Sequence, residues 1–500
     1  MTEPSLVFGV LSDLHVRIAA DGAGMAPGEG VETFRHALEW FRDRVVDAVA
    51  VPGDFTDDGL VEELEAVAAA WFRVFPDDRA PDGRRVERLF VCGNHDWNGW
   101  ERDGRDRVSA IWPDERERRA HILQFHLAET WERLFREPFQ PMWRKEVRGH
   151  SFVGAHWLGA PCQGSHLRDP EGGAGTAADP LRAYADETGV SGVRAFFDAT
   201  GPFAPDRPFF YIHHPHLKDT CYGPWAWGHD DGEAGSVLAH FPNAVAFSGH
   251  SHYSLTDERS LWRGDFTSVG ASSLSYVGIP FNARAPESYE NSLAAPGWRP
   301  LFDPFKAMPQ LDYRTSDGRQ GMLVKVFPER IEIGRFEFCG DRRLGPDWVL
   351  PTVPAGHDPD SFAARAAREG APAWPGGAVL SARREVGAIR GGTGPDGTAV
   401  PTAATGVWSL RFPAADPNRG PRAMEYEIEV RPASGGGPAV VKWLLAPGFY
   451  LPADDSKASA DVEFRVAADR LPQDVPLRFA VTPVSSLGAR GMPLCSSFSP

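Results

Sequence analysis

Cysteine is scarce in this chain. Its five residues in 500 (Cys92, Cys162, Cys221, Cys339 and Cys495) are scattered and odd in number, and no two form a CxxC pair. That pattern speaks against a disulfide framework and against a zinc ribbon, and it favours a reducing compartment. Long apolar runs are missing too. No stretch reaches the roughly 18 uninterrupted apolar residues of a membrane span, so no membrane partner is expected. A basic leader is also lacking. Met1-Thr2-Glu3-Pro4 runs straight into Leu6-Val7-Phe8-Gly9-Val10-Leu11, with no basic n-region and no small-residue cleavage site, so a cytoplasmic location is expected. Positive charge is in deficit: 52 Lys and Arg stand against 68 Asp and Glu, for a net charge of −16. So acidic a chain repels polyphosphate backbones, and nucleic acid is a disfavoured partner. There is no internal repeat.

What is present is an ordinary globular composition, 42% hydrophobic and 24% charged, which excludes disorder throughout. At roughly 150 residues per domain the length fits two to four domains. The 52 glycines and 44 prolines indicate many turns and long loops rather than a helical bundle. Histidine is unevenly spread: of 16, all but His357 precede residue 253, which places the chemistry in the first half.

In that half, short apolar runs alternate with helical patterns. Strands are predicted at Leu6–Leu11, Ala48–Val51, Leu89–Cys92, Phe152–Ala155, Phe209–Ile212 and Val245–Phe247. Helices are predicted at Val31–Val45, with Phe34, Leu38, Phe41 and Val45 on one face, and at about Leu60–Phe75. This order means an α/β fold with a largely parallel sheet. Five of the strands run into polar clusters: Asp13-Leu14-His15, Gly53-Asp54, Gly93-Asn94-His95-Asp96, His213-His214-Pro215-His216 and Gly249-His250-Ser251-His252. Ligands of open α/β sheets bind at the carboxyl ends of the strands, so the five clusters converge on one crevice. Asp, Asn and His without Cys are donors suited to Zn, Mn, Fe or Co. Residues i and i+2 of an extended chain point the same way, so Asp13 and His15 can share one ion, while His250 and His252 can reach two. The glycines Gly53, Gly93 and Gly249 permit tight turns beside an ion. Any one cluster alone is usually a solvated turn; five in register after strands are not.

As a set these motifs resemble the five signature blocks of the calcineurin-like metallophosphoesterases, over roughly residues 5–340. The resemblance implies a two-sheet β-sandwich flanked by helices in four layers. It also implies two divalent transition-metal ions. Asp13, His15 and His252 would hold one, Asn94, His213 and His250 the other, and Asp54 would bridge them. Between His213 and His214, the family pattern of His, one residue, then Pro favours His213. The implied reaction is hydrolysis of a phosphomonoester or phosphodiester of a small organic substrate, with a metal-bridged hydroxide attacking phosphorus and His95 as general acid oriented by Asp96. The sequence departs from purple acid phosphatases at Asp57, where that branch carries a tyrosine ligand, so no tyrosinate–iron colour is expected.

Substrate contacts are sought in Arg17, two residues past His15, and in His216 and Lys218 on the tryptophan-containing stretch His213–His229; His156, His166, Trp97 and Trp100 are further candidates for the pocket wall. The catalytic domain is expected over 1–340, and a Pro/Gly-rich linker or strap over 341–377. From 378 to 500, alternating runs at Val407–Phe412, Met424–Val430, Val440–Leu445, Val462–Val466 and Leu477–Val481 predict a smaller all-β sandwich. Its ending, Phe479 to Gly488, resembles the last strands of fibronectin type III modules. An alternative reading is a binding or scaffold protein whose C-terminal sandwich recognises a glycan or a protein partner. Against a dead phosphoesterase fold, all seven ligand positions and His95 are filled.

Overall fold

The computed structural model describes residues 3–21, 24–97, 99, 105–158, 185–223, 228–280, 298–303, 308–315, 318–352, 359–385, 406–435, 439–458, 461–468, 471–472 and 474–498. The chain divides into two compact units. One comprises residues 1–255, 260–277 and 317–359; the other comprises 256–259, 278–316 and 360–500.

Period-two burial builds the first unit. In the strands Leu6–Val10, Ala48–Pro52 and Glu87–Val91, alternate residues point to opposite faces, and both faces are buried, which is why the runs read as almost continuously apolar. These three strands are parallel. Leu6–Val10 also pairs antiparallel with Gln320–Val326, which continues to Arg330–Glu337. The second sheet orders Leu261–Arg263, Thr267–Gly270, Ala244–Ser248, Phe209–His213, His150–Ala155 and Met142–Val147, with its four central strands parallel.

The two sheets face each other. Phe8 of the first lies 5.3, 4.9 and 5.8 Å, between ring centroids, from Phe152, Phe210 and Phe247 of the second. Leu6, Val10, Ala50, Leu89, Ile212 and Val269 fill the same layer. Truncating one such buried Phe to Ala typically costs about 3–5 kcal/mol. On the outer face of the first sheet, Val49, Val51 and Phe90 pack on the helices Val31–Arg42 and Val61–Val74 through Phe34, Leu38, Phe41, Leu64 and Trp71. On the outer face of the second, Val153, Phe209 and Tyr211 meet the helices Val193–Thr200 and Glu233–Leu238. The result is the expected four layers: helices, sheet, sheet, helices. The first helix stops at Arg42 rather than Val45 because Val45 adopts a left-handed φ of 60°, which no α-helix accommodates.

The expected linker at 341–377 carries regular structure. Arg342–Arg343 and Trp348–Pro351 add to the first sheet beside Arg330–Glu337, burying Trp348 and Leu350 at alternate positions. Phe362–Glu369, in the second unit, is a helix whose first turn is capped by Ser361 accepting from Ala364 N–H. Further on, Val440–Leu445, Ala423–Pro432, Leu477–Ser485 and Leu494–Phe498 form a four-stranded antiparallel sheet, and Ser381–Glu385, Val407–Phe412 and Val462–Ala467 a three-stranded one. Trp408 of the smaller sheet packs on Phe479 and Phe498 of the larger. No helix among the described residues is long and apolar enough to cross a membrane.

Candidate metal centre

The parallel strands of both sheets end at one edge, and the polar clusters follow them directly. The loops are tied to one another by backbone bonds: Asp13 N–H to Gly53 C=O, His15 N–H to Asp54 C=O, and Gly249 N–H to His214 C=O, at 2.8–3.1 Å. Close approach explains two glycines. A β-carbon at Gly249 would overlap Ser12 Oγ and an Asp13 carboxylate oxygen, and one at Gly93 would overlap Asp54 Oδ1. Asp13, His15, Asp54, His250 and His252 all hold left-handed φ values, between 45° and 72°. Such conformations cost on the order of 1–3 kcal/mol each in a non-glycine residue and persist where the surroundings over-determine them, often at functional sites.

Two of the donor groups that result share one carboxylate. Asp13, His15, Asp54 and His252 form the first, and Asp54, His214 and His250 the second. In the first, His252 Nε2 lies 3.0 Å from Asp13 Oδ1 and 3.1 Å from His15 Nε2, which is 3.6 Å from Asp54 Oδ2. In the second, His214 Nε2 is 3.0 Å from Asn94 Oδ1, 3.1 Å from His250 Nδ1 and 3.4 Å from the same Asp54 Oδ2. Nitrogen ligands bind zinc at about 2.0–2.1 Å, so neighbouring donors around one ion stand roughly 3.0–3.4 Å apart, and most of these separations fall there. Asp54 Oδ1, the other oxygen, accepts the His95 N–H at 2.8 Å, which fixes the shared carboxylate. The residues present therefore fit a pair of divalent ions.

The electrostatics agree. Asp13 and Asp54 are buried, which opposes their ionisation. The neighbouring His252 and His214, respectively, nevertheless hold both carboxyls below the ordinary carboxylate range. Burial likewise opposes charge on His214, yet Asp54 and Asp13 outweigh it and push its pKa up to about 9. His250 is driven well below the usual imidazole range by burial and by His214. The centre thus attracts positive charge.

Against the sequence expectations, Asp13, His15, Asp54, Asn94, His250 and His252 come together as anticipated. His213 does not. It is the last residue of its strand, its ring lies near Tyr211 at 5.6 Å, and it reaches Asp230 at 3.7 Å with neither ring nitrogen hydrogen-bonded among the described residues. The chain leaves the strand one residue later, and His214 takes the expected place. Asp96 does not orient His95. Its buried carboxylate accepts from the N–H groups of Gly93, Phe55 and Thr56 and from the Thr56 hydroxyl, so it staples two ligand loops together. Burial and then the nearby Asp54 charge push its pKa up to about 6. The residue facing His95 is Asp57, whose carbonyl accepts from His95 Nδ1 at 2.8 Å and whose carboxylate accepts from His15 Nδ1 at 2.9 Å.

Arg17, half-exposed, joins this group through its Nε, 2.5 Å from Asp57 Oδ2. His216 is not among the donor groups. It is fully buried between Ser248 Oγ and Ser251 Oγ, and burial together with His229 holds it well below the imidazole range. Lys218 is exposed, its stem against Gly232, and is not drawn into the cluster. His156 and Trp97 are core residues, with His156 Nδ1 accepting from Cys92 N–H. His166, Trp100, Trp225 and Trp227 lie outside the described residues. Two aromatics at the centre carried no sequence signal of their own: Trp157, with ring centroids 5.3 Å from His250 and 5.7 Å from His214, and Tyr276, 4.1 Å from His252.

Residues 6–254 match the family of calcineurin-like phosphoesterases. Among solved structures, a dimetal phosphatase from Danio rerio is similar at 12% identity, over 70% of this chain and 100% of its own, with a TM-score of 0.34. A purple acid phosphatase from yellow lupin (Lupinus luteus) seeds is similar at 11% identity, over 70% of this chain and 55% of its own, with a TM-score of 0.34. No curated protein matches the chain.

Proposed function

From the calcineurin-like phosphoesterase domain that this chain carries over residues 6–254, we infer a hydrolase of phosphoester bonds that works with two divalent transition-metal ions. One observation carries the reading: a single carboxylate oxygen, Asp54 Oδ2, faces His15 Nε2 on one side and His214 Nε2 on the other. Asp13, His15, His252 and Asp54 would hold one ion; Asp54, Asn94, His214 and His250 would hold the other. When bound, such a pair offsets charge on the phosphoryl oxygens and lowers the pKa of a bound water toward about 7.

The chain's own residues supply the rest. The Asp57 carbonyl can only accept, so His95 Nδ1 carries a proton, and the nitrogen on the side of the shared carboxylate is Nε2, 3.9 Å from Asp54 Oδ2. We assign to it protonation of the leaving alkoxide, with the Asp57 carboxylate 3.8 Å from Nδ1. Asp57 also holds His15 in the orientation that presents Nε2 to the centre, as an outer carboxylate commonly does for a ligating imidazole. Arg17 is the residue we assign to the substrate's anionic oxygens. For residues 378–500 our reading is a fibronectin type III-like sandwich, supported by the alternating strands and their two facing sheets.

The test is metal analysis joined to an ester panel. The purified chain should carry close to two transition-metal ions, a chelator should abolish hydrolysis of p-nitrophenyl phosphate or its bis ester, and Mn or Zn should restore it. Chelator-insensitive turnover by metal-free protein would refute the reading.

A further inference from the structure

We propose that His216 is a positioning residue that clamps the loop carrying His250 and His252; the proposal rests on the metal-centre reading above. Its Nδ1 lies 2.8 Å from Ser248 Oγ and its Nε2 2.6 Å from Ser251 Oγ. Ser248 ends the strand Ala244–Ser248, and Ser251 stands between the two candidate ligands. One ring therefore grips both ends of Ser248–Ser251, with one nitrogen on each hydroxyl. Because His250 and His252 both hold left-handed backbone, the loop between them needs external restraint to keep its shape.

The clamp is itself anchored. His216 N–H donates to the Gly228 carbonyl and its own carbonyl accepts from Asp230 N–H, both at 2.7 Å, so His216 and His229 pair as in a sheet. Gly228, at φ +93°, lies flush on the ligand ring, where a β-carbon would stand 2.9 Å from His250 Cδ2. The segment that carries the clamp thus also backs His250. A merely filling core residue would need neither hydroxyl; two hydroxyls bracketing a ligand specify an orientation. Removing an outer partner of a metal ligand typically weakens metal affinity or activity 10–100-fold.

The experiment strips the full-length chain of metal and titrates it with Mn2+ calorimetrically, comparing wild type with Ser251→Ala, His216→Phe, His216→Gln and the Ser251→Ala/His216→Phe double variant. Ser251→Ala and His216→Phe should each weaken Mn2+ binding about 10–100-fold and lower kcat with little change in KM. The double variant should lose no more than the worse single one, and His216→Gln, which can keep one hydroxyl contact, should recover much of the loss. If His216→Phe does not fold, Ser251→Ala decides alone, because it removes a single hydroxyl. Wild-type Mn2+ affinity in Ser251→Ala, or losses that multiply in the double variant, would overturn the clamp while leaving the metal reading intact. A wild-type chain that binds no Mn2+ would overturn both.

Discussion

Loading the centre with divalent ions should expel a proton from His214, and the structure says from which atom and over which pH range. His214 Nδ1 donates to the Pro52 carbonyl at 2.7 Å, so that nitrogen keeps its hydrogen at any ordinary pH. The second proton sits on Nε2, the nitrogen that faces Asn94, His250 and Asp54, where an ion would bind. With a pKa of about 9 the fraction protonated is about 0.9 at pH 8, half at pH 9 and about 0.1 at pH 10. At those pH values Asp13 and Asp54 are already ionised and His250 is already neutral, so they release none. Calorimetric titration with Mn2+ in buffers of different ionisation enthalpy counts the protons released. The count should be larger at pH 8 than at pH 10 by most of one proton, a bound water with a pKa toward about 7 contributing about equally at both, and the His214 proton alone should weaken affinity for that ion about tenfold per unit below pH 9. His214→Ala should lose the ion together with its proton, whereas His213→Ala should keep both. A proton count that does not fall between pH 8 and pH 10, or loss of metal in His213→Ala alone, would refute the assignment.

Three further outcomes are expected. His95→Gln should retain both metals and slow hydrolysis of an alkyl phosphoester about 10²-fold or more, with a far smaller effect on the nitrophenyl ester, whose leaving group needs no proton; equal losses on both would remove the general-acid role. Asp57→Asn, which keeps the backbone carbonyl that holds His95 but weakens the restraint on His15, should cut metal affinity or kcat about 10–100-fold, read by chelator competition and steady-state kinetics. His156, driven down to about 3 by burial and by Lys145, stays neutral in the fold while the unfolded chain takes up a proton below pH 6.5. Stability is therefore full well above that pH and falls with acidification, by about 2 kcal/mol between pH 6.5 and 4.5. Urea unfolding of His156→Gln with chelator present should lack that decrement.

Much of the fold was legible because burial on both sheet faces writes strands as apolar runs: Val407–Phe412 and Val440–Leu445 match residue for residue, and the runs ahead of the metal motifs lie within two residues of the observed strands. The strands Ser381–Glu385 and Leu494–Phe498 were not legible, since neither buries a continuous apolar face. In the site, residues whose spacing alone brings them together were found. The errors concern side-chain direction. His213 and His214 differ by one position, and which faces the centre depends on where the strand lets go. Asp96 and Asp57 exchange roles because their partners lie about 40 residues away in sequence. The serines that take up His216 are 32 and 35 residues distant, beyond any local pattern.

The placement of Leu6–Val10 sets a timetable for biosynthesis. One edge of that strand pairs with Gln320–Val326, so Leu6 waits for Val326, 320 residues later. At roughly 5–20 residues per second, the ribosome takes about 16–64 seconds to supply the partner. Through that interval an apolar strand can lie beside Ala48–Pro52 with its other edge unpaired, the kind of edge that invites intermolecular strand addition. The donors up to His252 emerge well before this sheet can close. A nascent chain halted between His252 and Gln320 therefore holds every candidate metal donor without the strand that completes their scaffold, and its metal uptake should lag behind its length.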